Sequence, residues 1–305
     1  MPMTPVSPWL ALGILIVAAP IVPGVATRTK AVFAGRRGPP VWQLYVDLRK
    51  LAHRGVVYST STTWIFRFAP VVLVATTLGA AALLPLDGAS ALIRFGGDAV
   101  AFAYLFALGR FTLVLAAFDT GSSFEGMGAS REVTFATLVE PGLFVALTAV
   151  GIVSHSFSLS VMLGGHAIAG AATAPAMLMV AASIFALTLA ECSRVPVDDP
   201  ATHLELTMVH EVMTLDHSGP DLAMILYANA LKLAVFGSLV FAVALPARGS
   251  AGWLTPVALL GSCVATGIAV GIVESVMARL RLPRVPLYIA AGGAMGLFGL
   301  ILLLR

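Results

Sequence analysis

The sequence predicts an all-α, polytopic integral membrane helix bundle of about eight transmembrane helices, with N- and C-termini outside. Three observations predict it. Apolar residues make up 59% of the chain and charged residues only 11%, against about 25% charged in soluble domains. The few charges fall mostly between long apolar runs, whereas a soluble chain of 305 residues would spread charge over its whole surface. A hydrocarbon core ~30 Å thick takes about 20 apolar residues per helix, and several runs reach that length.

The candidate spans lie near 8–26, 63–85, 97–118, 133–153, 172–190, 221–246, 254–277 and 284–304. The fifth has the least defined start, because the stretch from Gly164 to Ala174 is small and flexible. The first is a retained helix and not a cleaved signal: no charge precedes Arg28, and its basic cluster follows the apolar run. The loops at odd positions hold twelve Lys and Arg residues, and the even ones hold two, Arg94 and Arg248. The positive-inside rule therefore puts the odd loops in the cytoplasm. No soluble domain or clear internal repeat interrupts the chain, which reads as a single transmembrane domain over 1–305. Gly267 with Gly271, and Gly292 with Gly296, form small-xxx-small pairs suited to close helix packing.

Several functions are excluded by composition. The net charge of +3 is small and the basic residues are not interleaved with aromatics, so no nucleic-acid partner is expected. Cys192 and Cys263 are isolated and supply neither an iron–sulfur cluster nor a zinc site. Gly121 and Gly126 imitate a phosphate-binding loop, but Met127 and Gly128 stand where Lys and Ser or Thr belong.

The cytoplasmic loops are the longest and most polar. In the first, Val41, Leu44, Leu48 and Leu51 recur at helical spacing, with Gln43, Asp47, Lys50 and Arg54 on the other face. That is an amphipathic helix for the membrane interface or for a partner. The third reads as a flexible loop carrying Asp119, Glu125, Arg131 and Glu132. The fifth, from Glu191 to Glu211, is densest in titratable groups. Asp199 and Pro200 are placed to start a short helix on which His203, Thr207 and His210 line one face. His210-Glu211 is not a zincin motif, since Thr214 replaces the second histidine. Carboxylates and imidazoles at this density fit a hydrated, proton-exchanging network better than a metal site.

Charges inside spans carry the most weight. Arg110, Glu140 and Lys232 fall within the third, fourth and sixth spans, with Arg67 and Glu274 nearer span ends. A charge near the bilayer centre costs roughly 3 kcal/mol, so such groups line a hydrated path or form a buried ion pair that orients helices. Arg67 and Glu274 also have the option of reaching toward the interface.

These residues resemble a known family. The fifth loop is similar to the signature loop of the membrane subunit shared by respiratory complex I (subunit 1, the quinone-site subunit) and the group 4 nickel–iron hydrogenases. Arg36-Arg37-Gly38-Pro39 resembles that family's basic-Gly-Pro motif, and Ser130-Arg131-Glu132-Val133-Thr134 its third-loop element. Complex I subunits typically read Arg-Ala-Pro-Phe-Asp in the fifth loop. Here Val197-Asp198-Asp199-Pro200, and Thr202 through Met208 with His210-Glu211, resemble the formate-hydrogenlyase branch.

The resemblance implies a subunit of a multisubunit oxidoreductase, not catalytic alone, in the cell (inner) membrane. No metal or redox centre is expected in this chain; a nickel–iron centre and iron–sulfur clusters belong to partners, and quinone binding stays open. The implied partners are a hydrogenase large subunit, an iron–sulfur small subunit and antiporter-like membrane subunits. Arg36, Arg37, Arg194, Asp199 and His203 are candidates for docking the redox arm. Glu132, Glu191, Asp198, Glu205, His210 and Glu211 are candidates for a proton path by motif position; Glu140, Arg110 and Lys232 join them on burial cost alone. Two alternatives are a complex I quinone-site subunit and a stand-alone secondary transporter. The transporter would show paired halves with broken helices at mid-membrane, which the sequence does not display.

Overall fold

The computed structural model describes residues 7–86, 91–164, 173–198, 208–245 and 254–304. Seven helices in it are long and apolar enough to cross a membrane, and a bent pair at the start makes up to eight. The elements are α1 (Pro8–Ala18), α2 (Ile21–Phe33), α3 (Gln43–Ala52), α4 (Trp64–Leu83), α5 (Asp98–Asp119), α6 (Ser123–Ser154), α7 (Leu159–Met162), α8 (Ala174–Glu191), α9 (Gly219–Ala244), α10 (Leu254–Val276) and α11 (Val285–Leu303).

The first span departs from expectation. It is two helices, α1 and α2, meeting at 43°. The break falls at Pro20, which has no N–H to return to the Ile16 carbonyl four residues back. Two tyrosines take up the carbonyls freed there: the Tyr227 hydroxyl donates to Ile16 O at 3.1 Å and the Tyr45 hydroxyl donates to Val17 O. Tyr45 lies on α3, the amphipathic helix expected in the first loop, so that helix is tied to the bend. An unbroken apolar run hid this break, and α2 continues to Phe33, beyond the predicted end.

The third loop also departs from expectation. Residues 123–132 are not a flexible loop; they are the first turns of α6, whose 32 residues extend ~48 Å, well beyond a ~30 Å core. Gly128 is there for packing. A Cβ on it would meet Val212 Cγ1 at 2.1 Å, so the 3-10 turn Glu211–Thr214 sits directly on this glycine.

The small-residue pairs behave as expected. A Cβ at Gly267 or Gly271 would run into the α2 backbone at Val22 O or Ala26 O, both 2.7 Å away. α11 packs on α6 and α8.

Direct contacts place the odd loops together. The Thr63 amide and hydroxyl both donate to Asp119 Oδ2 (2.6 and 2.9 Å), the Val57 amide to Ser218 Oγ (3.3 Å), and the Leu280 amide to Pro196 O (2.9 Å). The second and fourth loops are joined by Ser158 Oγ donating to Asp98 Oδ2 and the Ala91 amide donating to Ser160 Oγ, each at 2.9 Å.

Candidate functional site

Four helices bring charged side chains to one place inside the bundle. α8 ends at Glu191 because Ser193 adopts φ 49° and the Arg194 amide turns back to Leu189 O at 2.8 Å, a left-handed termination that stops a helix abruptly. Glu191 therefore sits at a helix C-terminus, where the helix dipole disfavours a carboxylate. Two cations compensate. Arg110 Nη1 from α5 lies 2.6 Å from Glu191 Oε2, and Lys232 Nζ from α9 lies 2.7 Å from Oε1. All three side chains are under a tenth exposed.

The other edge of Arg110 continues the chain, since Nη2 donates to Glu140 Oε1 on α6. Glu140 is 36% exposed, so the row Lys232–Glu191–Arg110–Glu140 runs from the centre of the bundle to its flank. An uncompensated charge at this depth would cost roughly 3 kcal/mol; pairing is what makes three of these positions tolerable, and Glu140 additionally offers a carboxylate sideways.

Beside this row, Glu132, His210 and Asn229 line a narrow internal cleft together with Arg110, Lys232, Thr76 and Thr77. Asn229 stands three residues before Lys232 on α9, hence on the same face, and its Nδ2 is 2.9 Å from His210 Nε2. Burial, reinforced by the Lys232 ammonium, holds the His210 imidazole down at about 4, so it is neutral at physiological pH. A neutral imidazole offers one donor and one acceptor and passes a proton without carrying net charge.

Asp198 holds His210 from the other side. Its Oδ2 accepts from the amides of Val209 (3.0 Å) and His210 (3.4 Å), and its Oδ1 pairs with Arg279 at 2.8 Å. Arg131 donates to Met208 O at 2.9 Å, fixing the same segment to α6. Glu211 opens the 3-10 turn, half-buried.

Of the candidate path residues, Arg110, Glu132, Glu140, Glu191, His210 and Lys232 converge, with Asp198 supporting them. Glu205, Asp199 and His203, with the helix expected to begin at Asp199, lie outside the described residues. Arg36 and Arg37 are exposed, as a docking surface requires. Arg194 has an internal partner instead: its Nη1 lies 3.4 Å from Glu274 Oε1, while Lys30 Nζ is 3.2 Å from Oε2. Glu274, only 2% exposed at its side chain, is thus a buried clamp between α2, α10 and the fifth loop; it does not reach toward the interface. Arg67 does remain at the surface, over the Tyr58 ring at 4.6 Å. Sequence reasoning missed Asn229 and the role of Glu274; the three-residue spacing to Lys232 was the one available sign of the former.

A family model described as NADH dehydrogenase matches residues 7–295. The chain belongs to the NADH dehydrogenase family. Within the relatives of this family, the chain is 34% identical over 275 residues to hydrogenase-4 component C of Escherichia coli K12, covering 88% of this chain and 86% of that protein. It is 30% identical over 292 residues to formate hydrogenlyase subunit 4 of the same organism, covering 93% and 94%. In fold it is similar to a chain in the structure of the membrane-bound sulfane sulfur reductase, an archaeal respiratory membrane complex, with a TM-score of 0.80, 20% identity and 95% and 98% of the two chains covered. The expected family, the all-helical membrane fold and the hydrogenase-type branch agree with these likenesses.

Proposed function

We propose that this protein is the membrane subunit of a hydrogenase or formate-hydrogenlyase-type complex, anchoring a redox arm at the face formed by its odd loops and coupling electron transfer there to ion movement. The observation that carries the coupling role is the buried row from Lys232 through Glu191 and Arg110 to Glu140, open at the bundle flank and flanked by Glu132 and neutral His210. The curated relatives, both hydrogen-linked by name, favour this reading over a quinone-site subunit or a stand-alone transporter.

In this reading the chain holds no redox centre; nickel–iron and iron–sulfur chemistry resides in the docked subunits. Arg36 and Arg37 meet those subunits on the cytoplasmic side. Arg110 and Lys232 are fixed positive charges that set the energy of protons on Glu132, Glu191 and Glu140, and Asp198 transmits movement of the fifth loop to His210. The flank at Glu140 faces an antiporter-like membrane subunit.

Purification of the intact assembly in mild detergent tests the proposal. A large subunit with nickel-ligand cysteines and a small iron–sulfur subunit copurify. A protein that emerges alone and moves a solute in proteoliposomes contradicts it.

A further inference from the structure

A second group of buried titratable side chains lies away from the ion row, at the edge of the odd-loop face. His217 is 3% exposed and stacks flat on Phe66, with ring centroids 3.9 Å apart and planes 6° from parallel. Neither of its ring nitrogens has a hydrogen-bond partner among the described residues. It forms the floor of a cleft whose rim is exposed: Arg54, Val57 and Ser59 on one side, Leu215 on the other. The rim is held by backbone, because Gly219, at φ 55°, lets Gly55 O approach to where a Cβ would stand 2.8 Å away.

The residue before His217 leads to a second incompletely bonded group. The Asp216 amide donates to Glu125 Oε1 at 3.0 Å. Glu125 is fully buried, and its Oε2 has no hydrogen-bond partner among the described residues. The neighbouring Thr120 hydroxyl donates to Ala117 O and stands close enough to the Glu125 carboxylate to favour its ionised form. A buried polar atom left unbonded costs about 1–3 kcal/mol, so the two ring nitrogens on the cleft floor, and the Glu125 oxygen behind it across the Asp216 amide, favour water or a proton in transit. The titratable and charged groups around it are Arg54 and Tyr58 from the first loop, Arg67 from α4 over the Tyr58 ring, Asp216 from its own segment, Asp221 at the start of α9, and Glu125 from α6. Tyr58 is itself engaged, donating to Asp221 Oδ2 at 2.9 Å.

Glu125 also has a geometric relation to the ion row. It precedes Glu132 by seven residues on α6, two turns along the same face and about 10 Å away. Between them lies Gly128, covered by Val212 and Met213. An apolar plug therefore separates the two carboxylates.

We propose that His217 and Glu125 form a proton-loading site, filled by water from the cleft, that supplies Glu132 when the 3-10 turn Glu211–Thr214 moves off Gly128. A hydronium from bulk solvent, reaching the cleft water, protonates one ring nitrogen of His217 and is left as neutral water, while the other nitrogen releases its proton through water to the ionised Glu125 Oε2, so the imidazole ends neutral and the carboxyl group holds the proton. Burial holds His217 down at about 4, consistent with a group that relays and does not store charge. The inference rests on the coupling role proposed above.

The test uses the whole complex in proteoliposomes, with electron flow and proton movement recorded together for the wild type, Glu125→Gln and His217→Phe. Both variants retain electron flow and lose proton movement per electron. Unchanged proton movement in either variant overturns the site. A wild-type complex that moves no ion overturns the coupling role itself and this inference with it, whereas one that moves another cation in place of protons overturns this inference alone. His217→Cys covers the case of variants that do not assemble: a small, charged, water-soluble thiol reagent labels it rapidly, and failure to label removes the aqueous cleft and the proposal. Cys192 gives little background, because burial pushes its thiol up to about 12.

Discussion

Two buried glutamates in this bundle are each gripped by two cations, and their surroundings differ. Glu274 holds Lys30 and Arg194 at 3.2 and 3.4 Å and joins three elements. Glu191 holds Arg110 and Lys232 at 2.6 and 2.7 Å, and around it stand Glu132, Glu140 and His210. Burial and pairing alone do not separate a clamp from a relay. The difference is the set of further titratable neighbours, which under the proposed coupling role gives a proton somewhere to go, and the opening of that set at the flank through Glu140.

The comparison predicts a graded set of effects. The largest follows from Glu191→Ala, which leaves two cations buried with one remaining carboxylate contact between them. Breaking a buried pair costs about 3–5 kcal/mol, so the protein loses most of its folded yield by size-exclusion after mild heating; full recovery shows that Arg110 and Lys232 are solvated by other means. Glu274→Gln is milder, about 1–3 kcal/mol, seen as earlier thermal aggregation. Ion movement per electron in the assembled complex stays at the wild-type value. Loss of coupling in that variant erases the distinction drawn between the two glutamates.

A smaller effect concerns acid. His210 and His217 are both held at about 4, below the ordinary 6.5 of the unfolded chain. The unfolded state therefore binds more protons over that interval, and stability that is complete above pH 6.5 declines as pH falls toward 4. His210→Gln flattens the pH dependence of Tm between those values while leaving Tm at pH 8 little changed. An equally steep profile in the variant assigns the acid sensitivity elsewhere. The smallest shift belongs to Asn229→Ala, about 1 kcal/mol for one side-chain hydrogen bond, read as a small fall in Tm.

Much of this architecture was legible in the sequence, and the failures have physical causes. The spans announce themselves by length and apolarity, and the small-residue pairs correctly mark α10 and α11 as closely packed helices. The break at Pro20 was hidden because nothing polar interrupts the run; the tyrosines that stabilise it come from α3 and α9, remote in sequence. Glycines at 121, 126 and 128 read as a flexible loop, yet Gly128 is small because Val212 must fit over it. The isolated charges Arg110, Glu140 and Lys232 were recognisable from cost alone, but the one carboxylate that joins two of them, Glu191, looked like part of a loop. Arg194 read as a docking residue for a related reason: its partner Glu274 is 80 residues away. Pairing across such separations is a tertiary fact that residue type and spacing do not contain.

The central claim is that the row ending at Glu140 carries ions and does more than orient helices. Glu140→Gln tests it most directly, because the substitution keeps the shape and a hydrogen-bonding group next to Arg110 while removing the exchangeable proton. In proteoliposomes holding the intact complex, electron flow continues and ion movement per electron is lost. Ion movement at the wild-type ratio, or a complex that no longer assembles, contradicts the account and leaves the row as an ion pair that sets helix geometry.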